Sequence, residues 1–294
     1  MGRFKALTYA SVLALGAAQA AQAADLLPPP PPIEAPLRGA VVEETGGFYV
    51  RVDGGLANNN ASGLRSTFAD GSTLVTQGAV VGATGVAVGD SSILGLGFGY
   101  QFNNWFRADI TGEYRNAANY SSYINAQWNG GLTGCSIGND ANAYCGDQYK
   151  GQVKTGLVLV NGYFDMGTWA GFTPYVGGGF GFAAYQTSGV TDTTQFPLAG
   201  NNAWGNAPAY TGVNFAWALT AGVSYHITPN LLIDANYRYV NMGSFQTGAI
   251  ACDALAYCHG ETQHFNMASN DVRVGLRWLA AAPVVYDVPV RAKF

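Results

Sequence analysis

The chain has 294 residues, and charged side chains make up only 11% of it against 13% aromatic residues and 40 glycines. With 14 basic against 18 acidic residues it lacks the basic face that phosphate binding needs, so nucleic acid is excluded as a partner. Beyond the N-terminal leader no apolar run approaches the roughly 20 residues of a spanning helix, so a helical membrane protein is excluded as well.

The chain opens as a secretory leader. Arg3 and Lys5 form a basic region, Leu7 to Ala18 an apolar one, and Ala21-Gln22-Ala23 a cleavage site, so residues 1–23 are read as a signal peptide. Its removal leaves 12 basic and 18 acidic residues, a formal charge of −6. Residues 24–45 hold the proline run Pro28 to Pro32, an extended polyproline segment read as a periplasmic spacer. A ligand for a proline-recognition module is the alternative there.

Alternation at period two then marks eight strands. The first spans Gly47 to Ala57, with Phe48, Val50 and Val52 on one face and Tyr49, Arg51 and Asp53 on the other. Residues 58–92 read as a polar loop. Ile93 to Arg115 reads as a hairpin turning at Asn103-Asn104, its second strand setting Phe106, Ala108 and Ile110 against Arg107, Asp109, Glu113 and Arg115. A second loop covers 116–152. Strands at 153–164 and 173–185 flank a short connection, and a third loop covers 186–213. Strands at 214–226 and 231–242 flank the turn Thr228-Pro229-Asn230, and a fourth loop covers 243–269. The last strand, 270–279, sets Val272, Val274, Leu276 and Trp278 against Asp271, Arg273 and Arg277.

Long and short connections alternate strictly. That pattern, with strands of about 9–11 residues, fits an all-β, eight-stranded antiparallel up-and-down transmembrane β-barrel with four long extracellular loops. A soluble lipocalin-type barrel would face its apolar side inward and leave the alternation of loop length unexplained. In the membrane barrel the apolar face meets lipid. The polar face then forms a lumen charge network of Arg51, Asp53, Arg107, Asp109, Glu113, Arg115, Asp234, Arg238, Asp271, Arg273 and Arg277. Eight strands enclose a space that side chains can fill, and inward glycines leave room for arginine, so an open water channel is not expected. Phe102, Trp105, Phe106, Trp169, Phe172, Tyr225 and Trp278 fall at one strand end and suit an interfacial girdle.

AQAADL, GGFYVRVDGG, FGYQFNNWFRADITGEYR, TPYVGGGFGFA, LLIDANYRYVNMG and NDVRVGLRW together resemble the small outer-membrane surface-antigen β-barrels of alphaproteobacteria, relatives of the OmpA membrane domain. The resemblance covers about residues 46–279. It implies an eight-stranded outer-membrane barrel, described variously as immunogenic, porin-like, structural, adhesive or haem-binding, with no shared catalytic residues. Such barrels commonly end on an aromatic read by the barrel-assembly machinery, and here either Trp278 or Phe294 could serve. Residues 280–294 read as an irregular periplasmic tail, too short for a wall-anchoring domain.

Four cysteines occur as two close pairs, Cys135/Cys145 and Cys252/Cys258, each within one loop. In an oxidising compartment they imply disulfides, of which the two local pairings are the expected ones. Cys252, Cys258, His259 and His264 match no standard zinc spacing. No serine sits in a nucleophile-elbow context, and His226 lies at the opposite end from His259 and His264, so no catalytic constellation is expected. The loop aromatics Trp128, Tyr144, Trp204 and Tyr210 either pack the loops or bind something. The expected role is a non-enzymatic, monomeric surface protein without a cofactor, in contact with outer-membrane lipid and lipopolysaccharide. A narrow porin, or a receptor for haem or a host ligand, is the alternative.

Overall fold

The structure is a computed structural model, and it describes residues 41–43, 46–76, 79–128, 144–195, 204–252, 260–280 and 284–286. The chain separates into two compact units, residues 1–41 and 42–294, and the described residues lie in the second apart from Val41. The expected leader and the proline run lie outside the described residues.

Among the described residues thirteen strands follow in chain order. They are β1 (Val41–Glu43), β2 (Gly47–Thr67), β3 (Ala79–Val88), β4 (Ser91–Gln101), β5 (Phe106–Trp128), β6 (Tyr144–Asp165) and β7 (Phe172–Gln195), then β8 (Trp204–Ala207), β9 (Tyr210–His226), β10 (Leu231–Gln246), β11 (Ala251–Cys252), β12 (Thr262–Leu279) and β13 (Val284–Tyr286). Eight of them close a ring of antiparallel pairs, β2-β4-β5-β6-β7-β9-β10-β12 and back to β2. β3 pairs with the far part of β5 and prolongs β4; β8 pairs with the far part of β7 and prolongs β9. Pro208, which lacks the N–H a ladder needs, separates β8 from β9. β11 pairs with β8. β1 and β13 form a separate two-stranded sheet, so the expected irregular lead-in and tail each hold a short strand.

The tight turns gather at one end of the ring, here the terminal end because β2 starts and β12 finishes there. Asn103 accepts from the backbone N–H groups of Trp105 and Phe106 at 3.0 and 2.8 Å, an Asx turn that closes the β4-β5 hairpin. Thr228 does the same for Leu231 at 3.0 Å between β9 and β10.

The outward face is apolar for about five alternate positions per strand. Phe48, Val50, Val52 and Leu56 on β2 and Trp278, Leu276, Val274 and Val272 on β12 are all exposed. Above that band the outward residues turn polar: Asn58, Ser92, Asn116, Lys154, Gln186, Asn241 and Asn270. The girdle aromatics sit at the terminal end, with Trp105 stacked on Phe164 at 5.9 Å and Phe172 against Tyr225 at 4.7 Å.

The barrel is taller than the sequence pattern indicates. Much of the expected loops 58–92, 116–152, 186–213 and 243–269 is strand. β5, with 23 residues, rises ~75 Å along its own length, or about 55 Å of barrel height at a tilt near 40°, where a membrane band needs ~25 Å. β-bulges explain why this was hidden. The register shifts between Arg115 and Ala118 on β5, at Gly63 on β2, at Gly189 on β7 and at Gly243 on β10. Those three glycines have φ of 65°, 61° and 75°, a left-handed conformation that an L side chain resists. Each bulge exchanges inward and outward parity: β7 buries Ala183, Tyr185 and Thr187 below Gly189 but Val190 and Asp192 above it. A period-two pattern that restarts out of phase reads as no pattern.

Candidate functional site

The lumen consists of two layers. In the half nearer the terminal end, the eleven residues expected to line the lumen are all buried, and Asp165 joins them. Six guanidiniums thus meet six carboxylates, and none of the twelve residues is more than 8% exposed. Alternation in the sequence places Asp165 at the start of a connection, whereas in the structure it is the last residue of β6. Its acidity directly after Tyr163-Phe164 was the available signal.

Most of the ion pairs join different strands, and two, Arg51–Asp53 and Glu113–Arg115, lie within one strand. Arg51 grips Asp53 through Nη2 at 2.7 Å and Nε at 2.8 Å, and reaches Asp109 at 3.3 Å. Glu113 accepts from Arg238 at 2.5 and 2.6 Å and from Arg273 at 2.7 Å. Asp271 accepts from Arg115 and Arg238, each at 2.7 Å. Arg277 faces Asp234 at 3.3 Å, and Ser224 donates to the same aspartate. Arg107 meets Asp165 at 3.1 Å, with its guanidinium carbon 4.4 and 4.5 Å from the ring centres of Tyr163 and Tyr175. Buried charge persists only when paired and hydrogen-bonded, and this arrangement supplies partners of both kinds.

Glycines make the space, though not always for arginine. A Cβ on Gly97 would stand 2.7 Å from Arg51 Cγ, whereas the Gly177 and Gly179 positions are filled by Tyr163 and Asn161. Gly97→Ala is therefore expected to lower barrel stability by about 1–3 kcal/mol through overpacking. Gly54→Ala and Gly112→Ala, where an added Cβ meets nothing within 4 Å, should leave it unchanged. Urea unfolding in detergent micelles, followed by tryptophan fluorescence, reads both; equal effects at the three positions would contradict this packing account.

Above the charged layer the inward face becomes apolar, a feature the alternation did not reveal. Leu157, Leu159, Ala183, Ala218, Val240 and Met242 lead up to Tyr120, Tyr185, Phe245 and Phe265, all buried. Tyr185 stacks on Phe245 at 3.9 Å, and Phe265 stacks on Tyr120 at 5.0 Å. The weak alternation of residues 153–164 has its cause here, since β6 is apolar on both faces with Leu157 and Leu159 inward and Val158 and Val160 outward.

A family model described as an outer membrane protein beta-barrel domain matches residues 10–277. The chain belongs to that family. Outer membrane protein PagN of Salmonella typhimurium is 29% identical over 238 residues, which cover 79% of this chain and 89% of PagN. An uncharacterized protein of Brucella abortus, an alphaproteobacterium, is 33% identical over 160 residues, half of each chain. Among solved structures, Pseudomonas aeruginosa OprG aligns over 81% of this chain and 98% of its own at 14% identity, with a TM-score of 0.42.

Beyond the apolar band, the far mouth of this outer-membrane barrel carries an acidic group. Asp192 on β7 is buried, and loss of water together with the charges of Asp147 and Glu261 pushes its carboxyl up to about 8. Burial also raises Glu261, whose Oε2 accepts from the Tyr149 hydroxyl at 2.9 Å. A carboxyl whose folded pKa exceeds its unfolded value near 4 favours the fold while protonated. Its contribution is complete below pH ~4 and declines as pH rises through about 8. The far-end backbone amides of β7 are thus expected to be better protected from hydrogen exchange, after correction for intrinsic rate, at pH 5 than at pH 9. Asp192→Asn should remove most of that difference, and an unchanged pH dependence in the variant would count against the assignment.

Of the histidines, His264 Nε2 lies 2.9 Å from Thr67 Oγ1 near the far end, and His226 closes β9 at the terminal end. No group of three or more metal-capable side chains occurs among the described residues. Cys135, Cys258 and His259, and the side chains of Cys145 and Cys252, lie outside the described residues, and both expected disulfides lie there with them. The side chains of Trp128 and Tyr144 do as well. Trp204 is exposed on β8, and Tyr210 packs against Tyr185 at 6.2 Å.

Proposed function

We propose that this is a non-enzymatic, monomeric surface barrel with a closed lumen, contributing to envelope integrity and presenting its far end to the surroundings as a surface antigen. It is exported by a leader at residues 1–23, assembled by the barrel-assembly machinery, and seated among outer-membrane lipid and lipopolysaccharide. The termini are periplasmic, and the extended far end of β5, β6 and β7 is extracellular. The observation that carries this reading is the double filling of the lumen. A solute would have to pass six buried ion-paired arginines and then an apolar layer closed by stacked aromatic rings. The first layer binds ions too tightly to pass them on, and the second offers them no hydration.

The test is single-channel recording of the refolded protein in planar bilayers, after heat-modifiable gel mobility has shown the fold. Silence is expected. Discrete, reproducible openings would replace this reading with a narrow porin. The receptor reading has one observation in its favour, the exposed Trp204 on the far-end wall, and titration with haem monitored at its absorption band tests it.

A further inference from the structure

Just above the apolar band, the outward wall across β2, β12 and β10 holds a cleft of about 380 Å³. Its floor is Ala268 on β12, which is paired with Asn60 of β2 on one side and Asn241 of β10 on the other. Two residues along β12 in each direction stand Asn266 and Asn270, and Tyr239 forms the edge nearer the apolar band. Four carboxamides therefore surround one methyl group. The bulges at Gly63 and Gly243 displace the flanking strands at this level.

The amides are only partly committed. Asn270 accepts through Oδ1 from the Tyr237 hydroxyl at 2.6 Å, and Asn241 Oδ1 accepts from Gly243 N–H at 3.1 Å, which leaves both NH₂ groups to give. Asn60 and Asn266 make no side-chain hydrogen bond among the described residues. No lining residue is charged. An anionic phosphate would call for a cation, and an acyl chain would strip water from four amides without replacing their bonds. Carboxamides, each with two donors and an acceptor, instead match adjacent hydroxyls, while Ala268 and Tyr239 offer apolar surface to the C–H face of a ring.

We propose that this cleft binds the neutral sugar of a membrane-embedded glycolipid. The lipid source follows from position, because the cleft opens sideways at the upper rim of the band, directly above exposed Leu56 and Val272. The proposal rests on the reading of that band as the lipid-facing surface.

The side-chain amide signals of the four asparagines report on the site by NMR, with the protein in amine-oxide micelles. Dodecyl maltoside, a disaccharide on an alkyl chain, is titrated at constant total detergent, and free maltose in a parallel series. Saturable shifts of these amides with dodecyl maltoside are expected, at least about ten-fold weaker in Ala268→Trp, which fills the cleft, and in Asn241→Leu/Asn266→Leu. All substitutions face outward, and heat-modifiable mobility checks that each variant folds. Shifts with maltose at equal concentration would support the sugar chemistry and overturn the lipid source. Absence of shifts with both probes, or unchanged shifts in Ala268→Trp, would overturn the site. A conducting barrel would sink the closed-lumen reading yet leave this result standing.

Discussion

Glu113→Gln is expected to destabilise the barrel by about 3–5 kcal/mol, the usual consequence of removing one partner from a buried ion pair. Glu113 on β5 accepts from Arg238 on β10 and Arg273 on β12, and Arg115 stands 3.8 Å away. Without its charge, Arg238 and Arg115 keep Asp271, but Arg273 keeps only a hydrogen bond to Asn236 Oδ1 at 3.0 Å. Six guanidiniums would then face five carboxylates in a space closed to water. The amide is nearly isosteric with the carboxylate, so the loss reports charge rather than volume. Adding Arg273→Met should recover at least half of it, because the uncompensated cation goes with its partner. Urea unfolding in micelles measures both variants. A loss under about 1 kcal/mol for the single change, or no recovery in the double, would mean that the network is solvated and the lumen wetter than described.

The second large effect concerns conduction. If two independent layers close the lumen, opening either one alone leaves the barrel silent. Glu113→Gln/Arg273→Met loosens the charged layer and leaves the rings of Tyr185, Phe245 and Phe265 in place above it. Phe245→Ala/Phe265→Ala empties the apolar layer over an intact charge network. Each pair of changes should give no openings in planar bilayers, and the four changes together should give discrete ones. The pattern is the informative part, since conductance from either pair alone would show that one layer does all the closing. The ring changes should also cost about 3–5 kcal/mol each, because both phenylalanines are buried in close-packed surroundings. The four-fold variant therefore has to be checked for heat-modifiable mobility before recording.

Local chemistry accounts for much of this molecule. Alternation along Gly47 to Ala57, Ile93 to Arg115 and Asn270 to Leu279 marks the lipid-facing strand segments and separates their apolar face from the charged one. Parity alone puts Arg51, Glu113, Arg238 and Arg273 on the inner face, because successive side chains of a strand must point to opposite sides. Asn103-Asn104 and Thr228-Pro229-Asn230 carry their turn chemistry in the residues themselves.

Other features exist only once the ring closes. Which carboxylate answers which guanidinium depends on side chains meeting across the lumen; Glu113 and Arg273 are 160 residues apart and lie on strands that are not neighbours in the ring. Asp165 enters the network because β6 runs on to it, which pairing with β7 at Tyr175 decides. The apolar layer was illegible because Leu157 and Leu159 have valines on the opposite face, so no contrast marks their direction. The height of the wall was hidden by one-residue bulges, each of which reverses the inward parity without disturbing the hydrogen-bonded ladder on either side. Sequence periodicity is a local property that one inserted residue resets, whereas strand pairing is a tertiary one that continues through the insertion.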